Sequence, residues 1–226
     1  MSASKVIRWA GLSAVVAGVL FLVVVIIHPP NDGDPAPVAT SSFAIAHYFA
    51  LGYSVFGLLG ISGIYARQVE EAGWFGLVAF LTFYVALAIF TAFNFFEGLI
   101  LPLLATEAPQ FVEAFMGLIA GSVGESSLGA LETVLPPTLL LYPVGILLFG
   151  ISILRAGILP RWAAILLIIG VVGAVLGPLL GEGVLVGRIV GRVGGVAQAL
   201  GLAWLGYALW SERQEKASEP LPAMQS

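Results

Sequence analysis

The residues best placed to do chemistry form a short polar strip in an otherwise apolar block. Glu97 lies in the run 90–105, with Asn94 one turn before it and Thr91 one turn before that. Positions three apart share a helical face, so the three side chains line one edge. An ionisable residue at membrane depth is costly and is a functional candidate by default. The plainer alternative is that the helix ends near Phe96, which leaves Glu97 solvated at headgroup level. Glu132 is a second carboxyl, and the two are the candidate catalytic residues if the chemistry is acid–base. Arg188 and Arg192 stand one turn apart, spaced to hold an anionic headgroup, to pair with Glu97 or Glu132, or simply to snorkel to the membrane boundary. Gln198 lies deeper on the same helix. Thr91, Asn94, Glu97, Arg188, Arg192 and Gln198 are thus the expected ligand-binding set.

The chain has two histidines, His28 and His47. Imidazole with carboxylate suits zinc or iron, but no HxxxH or HExxH spacing is present, so they are weak metal candidates and no metal site is assigned. The absence of cysteine excludes disulfides, thiolate metal sites, Cys-ligated iron–sulfur clusters and covalent c-type haem. No lysine lies in an apolar block, which excludes a retinal Schiff base. There is no Gly-rich phosphate loop and no nucleophile elbow, and the cofactor, if any, is unspecified. Net charge is −4 with no basic stripe, so nucleic acid is not an expected partner.

These residues must be positioned by helices that cross a lipid bilayer. Hydrophobic residues make up 59% of the 226, charged residues only 10%, and the mean hydropathy is +1.03. A soluble fold of this size has too few charges here to cover its surface. The apolar residues fall in blocks long enough to cross a hydrocarbon core, and backbone in lipid must bond to itself, which makes each block a helix. The expected fold is an all-α polytopic bundle of six spans, about 8–28, 43–65, 74–100, 136–154, 162–180 and 189–210. The first block is too long for a signal peptide and lacks a small-x-small cleavage pattern, so it reads as a retained span.

Lysine and arginine set the orientation. With the N-terminus inside, the inner segments hold Lys5, Arg8, Arg67, Arg155, Arg161, Arg213 and Lys216, and the outer ones only Arg188 and Arg192. Both termini are then cytoplasmic. Trp9, Trp74, Trp162, Trp204 and Trp210 all fall toward the cytoplasmic boundary, where tryptophan prefers to sit. Both histidines and the carboxyls Asp32, Asp34, Glu107, Glu113, Glu125, Glu132 and Glu182 fall on the outer side. Residues 1–210 form one transmembrane domain, and 211–226 a charged cytoplasmic tail, read as disordered. Residues 109–120 are too short to span and read as an external lid or interfacial helix, with a re-entrant hairpin as the alternative.

Small residues bring membrane helices together. Gly187, Gly191, Gly195, Ala199 and Ala203 recur every fourth residue, as do Gly173, Gly177 and Gly181. They predict close packing within the chain, or contact with other membrane subunits or a second copy. Pro143 lies inside the fourth span and cannot bond to the carbonyl of Leu139, so a kink is expected there.

Three stretches carry a resemblance. They are Gly57-Leu58-Leu59-Gly60-Ile61-Ser62-Gly63-Ile64-Tyr65-Ala66-Arg67; Gly73-Trp74-Phe75-Gly76-Leu77 followed by Phe95-Phe96-Glu97 and Leu101-Pro102; and Leu159-Pro160-Arg161-Trp162-Ala163. Together they resemble an uncharacterised family of bacterial multi-span membrane proteins, a domain of unknown function. The resemblance implies a bundle of six or seven helices and no activity, and it transfers no functional residue.

Three functions fit this reading of a multi-pass plasma-membrane protein in contact with membrane lipids. The first is binding or transport of a small lipophilic or weakly charged molecule through an outer-facing polar pocket. The second is a non-catalytic accessory subunit of a larger membrane complex. The third is a membrane-embedded enzyme using Glu97 and Glu132 on a lipid or isoprenoid.

Overall fold

A computed structural model describes residues 3–30, 32–122, 126–181 and 184–218. Among them every regular element is a helix: α1 (Ala3–Ile27), a short 3-10 turn (Ala36–Ala39), α2 (Ser41–Phe95), a π turn (Phe96–Ile100), α3 (Leu101–Glu107), α4 (Pro109–Ile119), α5 (Leu131–Ala156), α6 (Arg161–Leu179) and α7 (Leu185–Ser218). Five continuous stretches are long and apolar enough to cross a membrane: Lys5–Ile27, Ser41–Glu107, Leu131–Ala156, Arg161–Leu179 and Leu185–Ser211.

The second of these is 67 residues long and doubles back at Gly73. Gly73 has φ 56° and ψ −157°, a conformation essentially reserved for glycine. The two arms of α2 then lie side by side. Tyr65 stacks on Phe80 with ring centroids 4.5 Å apart, and the Asn94 amide reaches Ser54 Oγ at 3.5 Å. The charged group Arg67–Glu71 (67–71) therefore does not break the helix, which stays regular up to Gly73.

Close backbone contacts give the packing order. Gly60 and Gly63 of α2 meet Ala14 and Ala10 of α1, so those helices are antiparallel. Gly145 of α5 meets Phe83 of α2's second arm, and Gly76 of that arm meets Ser152 of α5, again antiparallel. Gly170, Gly173 and Gly177 of α6 meet Gln198, Gly194 and Gly191 of α7 in reversed order, and Gly11 and Gly18 of α1 meet Gly206 and Ala203 of α7. The glycine stripe of α7 is thus turned onto α1 and α6 of the same chain.

The core follows from this order. Ile61, Ile64, Leu87, Ile146, Phe149, Ile153, Leu167 and Leu205 are all buried in one cluster. Outward faces carry Leu81, Val85, Leu103, Leu140, Ile169 and Ile189, all exposed. An apolar exterior of this extent needs lipid around it rather than water. At one end the Arg8 guanidinium lies 4.3 Å from the Trp210 ring, and Arg155 lies 4.8 Å from the Phe75 ring.

Several boundaries differ from the sequence reading. The third apolar segment does not stop at 100 but continues through the π turn into α3. α5 begins at Leu131, so Pro136 and Pro137 fall inside the helix past its first turn, where they give no N–H to the carbonyls of Glu132 and Thr133. α7 begins at Leu185, which places Arg188 inside the helix, and it continues to Ser218. Of the expected tail, 219–226 lie outside the described residues, as do Glu125 and Glu182. The segment 109–120 is the helix α4, with Val112, Phe115 and Met116 buried against Val38, Phe43, Leu101 and Leu135. Pro35 to Thr40, α3 and α4 together close the end of the bundle opposite Trp210.

Candidate functional site

Glu97 falls in the π turn that joins α2 to α3. A single π turn widens the helix by one residue and re-aims its side chains, and such turns recur at functional sites. Here the Glu97 side chain points into the bundle, and the residue is 6% exposed. Gly98 permits this. A Cβ there would lie 3.2 Å from the His47 Cβ, so glycine lets the turn close onto the first arm of α2.

His47 meets Glu97 with Nε2 to Oε2 at 3.2 Å, both side chains buried. Its other nitrogen, Nδ1, donates to the Phe43 carbonyl oxygen at 2.8 Å. His28 follows the last turn of α1. Its Nδ1 donates to the Pro29 carbonyl at 2.6 Å, and its Nε2 lies 3.4 Å from that of His47. A carbonyl only accepts, so each Nδ1 carries the hydrogen, and each neutral ring offers a lone pair at Nε2. One proton held on His47 Nε2 or Glu97 Oε2 satisfies the pair. Among the described residues no group of three or more His, Cys, Asp or Glu side chains is arranged to hold a metal ion. His47 is a hydrogen-bonding partner of Glu97, and His28 Nε2 faces the same point at 3.4 Å, where it can accept only when the proton sits on His47 Nε2.

A second polar group lies deeper. Tyr53 and Tyr142 share a hydroxyl–hydroxyl bond of 2.6 Å, and Gln198 Nε2 donates to Tyr142 Oη at 2.7 Å. Phe21 packs on Tyr53 and Phe90 stacks on Tyr142, with centroids 4.6 and 4.4 Å apart. Gln198 Oε1 is buried with no partner among the described residues. Asn94 Nδ2 donates to the Phe90 carbonyl at 2.7 Å, between the two polar groups.

A cavity of about 440 Å³ connects these features. Its wall is largely apolar, with Phe21, Val24, Val25, Phe90, Phe93 and Leu139, and its polar members include His28, His47, Tyr53, Asn94, Glu97, Arg188 and Arg192. This size and mixture are those of a small-molecule site. The glycines Gly177, Gly187, Gly191 and Gly195 line it as well. A Cβ on Gly191 would meet only the Gly177 Cα, at 3.8 Å, so that face of α7 is open.

The expected ligand-binding residues divide. Asn94, Glu97, Arg188 and Arg192 share the cavity. Gln198 sits behind it through Tyr142. Thr91 turns its hydroxyl back to the Leu87 carbonyl at 2.8 Å and is not part of the lining. Glu132 is exposed, accepts from the Leu128 N–H at 2.6 Å and also lies outside the lining, so it acts as a local helix-start acceptor rather than as a partner of Glu97. Tyr53, Tyr142 and Ser54 escaped sequence reasoning. Their hydroxyls are chemically ordinary, and only packing puts them at one point. The meeting of His47 with Glu97 had a signal, since both fall at the same level of adjacent antiparallel helices.

Comparison with protein-family models, with curated proteins and with solved structures gives no match to this chain.

Proposed function

We propose that this is a multi-pass plasma-membrane protein that binds, or passes along, a small lipophilic or weakly charged molecule through a pocket open to the outer side. The observation that carries the reading is the cavity itself, where His28, His47, Asn94, Glu97, Arg188 and Arg192 converge on an otherwise apolar wall. Six crossings with both termini cytoplasmic place that cavity in the outer half of the membrane. The arginine and lysine bias supports this placement, as does the gathering of Trp9, Trp74, Trp162 and Trp210 toward the end where Arg8 covers the Trp210 ring. Beyond the tyrosine pair the interior turns apolar through Ile61, Ile146 and Phe149. Ser152 and Gln68 are buried beyond this apolar layer, and among the described residues no continuous polar path joins them to the cavity, which favours binding over continuous conduction. Among the described residues Glu97 is the one carboxylate of the lining and Glu132 lies outside it, which counts against an acid–base pair of the two.

The test is photolabelling of the purified full-length protein in lipid nanodiscs. Two probes carry a diazirine at the end of a ten-carbon chain, one an alcohol and the other an acid. Labelled peptides are mapped by mass spectrometry. Label on Tyr53, Phe90 or Phe93 that unlabelled decanol or decanoate competes away supports the pocket. Label from both probes confined to outward residues such as Leu81, Leu103 and Ile169 sinks it.

A further inference from the structure

The charge of the cavity wall says which molecules it suits. Among the described residues its one carboxylate is Glu97, already engaged by His47 at 3.2 Å. The histidine chain adds little charge. Both Nδ1 hydrogens are committed to carbonyl oxygens, and one proton at Nε2 of His47 or at Glu97 makes the His28–His47–Glu97 chain neutral as a whole. Without that proton the chain carries the single negative charge of Glu97. Arg188 and Arg192 then tip the balance. They stand one turn apart on α7, both line the cavity, and the contact between His47 and Glu97 engages the one carboxylate that the lining has among the described residues. In both protonation states the wall is net positive. The two arginines stand, moreover, in the first two turns of a long helix, whose positive N-terminal end adds to the potential.

Resting on the pocket reading above, we propose that the occupant is an amphiphilic organic anion. A single carboxylate or phosphate head is held by the forked donors of Arg188 and Arg192, and an apolar chain lies against Phe21, Phe90 and Phe93. Arginine suits this role because its planar fork matches both carboxylate and phosphate. The His28–His47–Glu97 chain faces the head from α1, α2 and the π turn. By keeping Glu97 paired it prevents a bare carboxylate from repelling the ligand. Aromatic rings on the apolar side give the chain a surface without competing for the head.

The experiment is competition for cavity labelling by the diazirine acid, with decanoate, decyl phosphate, decanol and inorganic phosphate as competitors. In wild type, decanoate or decyl phosphate is expected to compete at a concentration about tenfold or more below decanol, because charge-assisted pairs are the stronger contacts. Whichever of the two is better identifies the head as carboxylate or phosphate. Inorganic phosphate is expected to compete poorly, since it lacks the chain. Arg188→Gln and Arg192→Gln should each weaken the anions by about tenfold while leaving decanol unchanged, and retained competition by decanol shows that the variants are folded. Arg188→Lys should recover part of the loss. Equal competition by decanol and the anions, with no effect of either glutamine variant, overturns the anion assignment and leaves the pocket standing. Competition by inorganic phosphate as strong as by decyl phosphate overturns the amphiphile. Failure of every probe to label the cavity removes the pocket itself.

Discussion

His47 Nε2 lies 3.2 Å from Glu97 Oε2, and this contact ties the first arm of α2 to the π turn at the end of its second arm. The partners come from one continuous helical stretch folded on itself at Gly73. Both side chains are buried, and with His47 Nδ1 already bonded to the Phe43 carbonyl, its Nε2 and the Glu97 carboxyl serve each other.

That dependence has a measurable form. Glu97→Ala or His47→Ala alone should cost about 3–5 kcal/mol, because each leaves one buried ionisable group without its partner. The double variant should cost clearly less than the sum, since neither member of the pair is then left without the other. Glu97→Gln, which keeps an acceptor at the site, should be milder than Glu97→Ala. Thermal unfolding in detergent, followed by size-exclusion chromatography, measures all four. Additive losses would show that the contact is not an energetic pair.

How far these features are legible in the sequence depends on their range. The apolar blocks are a local property and their number follows from hydropathy. Glu97, Asn94, Arg188 and Arg192 stand out because polar residues are rare in such blocks. The π turn does not stand out, because it arises where Gly98 closes onto His47 and Tyr48 of a distant arm. Glu132 and Thr91 look like site residues by type, yet each satisfies itself locally, on Leu128 N–H and the Leu87 carbonyl. Tyr53 and Tyr142 look ordinary and meet only through the antiparallel packing of three helices. The helix ends moved for the same reason. Hydropathy marks where lipid ends, while a helix continues until its backbone finds another partner.

The tyrosine pair should be unequal in its two halves. Tyr142 Oη is bonded to both Tyr53, at 2.6 Å, and Gln198, at 2.7 Å, whereas the close bond of Tyr53 Oη is the one to Tyr142. Tyr142→Phe removes the 2.7 Å bond of the Gln198 amide, whose Oε1 has no partner among the described residues, and should cost about 1–3 kcal/mol. Tyr53→Phe should cost less. Unfolding midpoints of the two variants in the same detergent decide the order, and the reverse order would show that Gln198 bonds elsewhere.

The threading of the chain predicts which sites reagents can reach. Asp34 and Glu70 are both exposed and lie toward opposite ends of the bundle. In this natively cysteine-free chain, Asp34→Cys should react in intact cells with a membrane-impermeant maleimide, and Glu70→Cys only after permeabilisation. Labelling of both, or of Glu70→Cys alone, would reject the six-crossing arrangement with cytoplasmic termini.

Glycine tolerance should vary along α6 and α7 according to what each missing Cβ would meet. On Gly170 it would lie 2.7 Å from the Gln198 backbone nitrogen, and on Gly194 2.8 Å from both Ala174 N and the Gly170 carbonyl oxygen. Backbone cannot move aside as a side-chain tip can, so Gly170→Ala and Gly194→Ala must push the helices apart, at a cost of about 1–3 kcal/mol. On Gly191 the nearest atom is the Gly177 Cα at 3.8 Å, an ordinary contact, and the methyl enters the cavity wall. Gly191→Ala should therefore keep or slightly raise the unfolding temperature, since alanine is the better helix former. Its effect should appear instead as altered competition in the photolabelling assay. Equal destabilisation of all three variants would mean that α6 and α7 are in contact along their whole length, with no open face at Gly191 for a ligand to use.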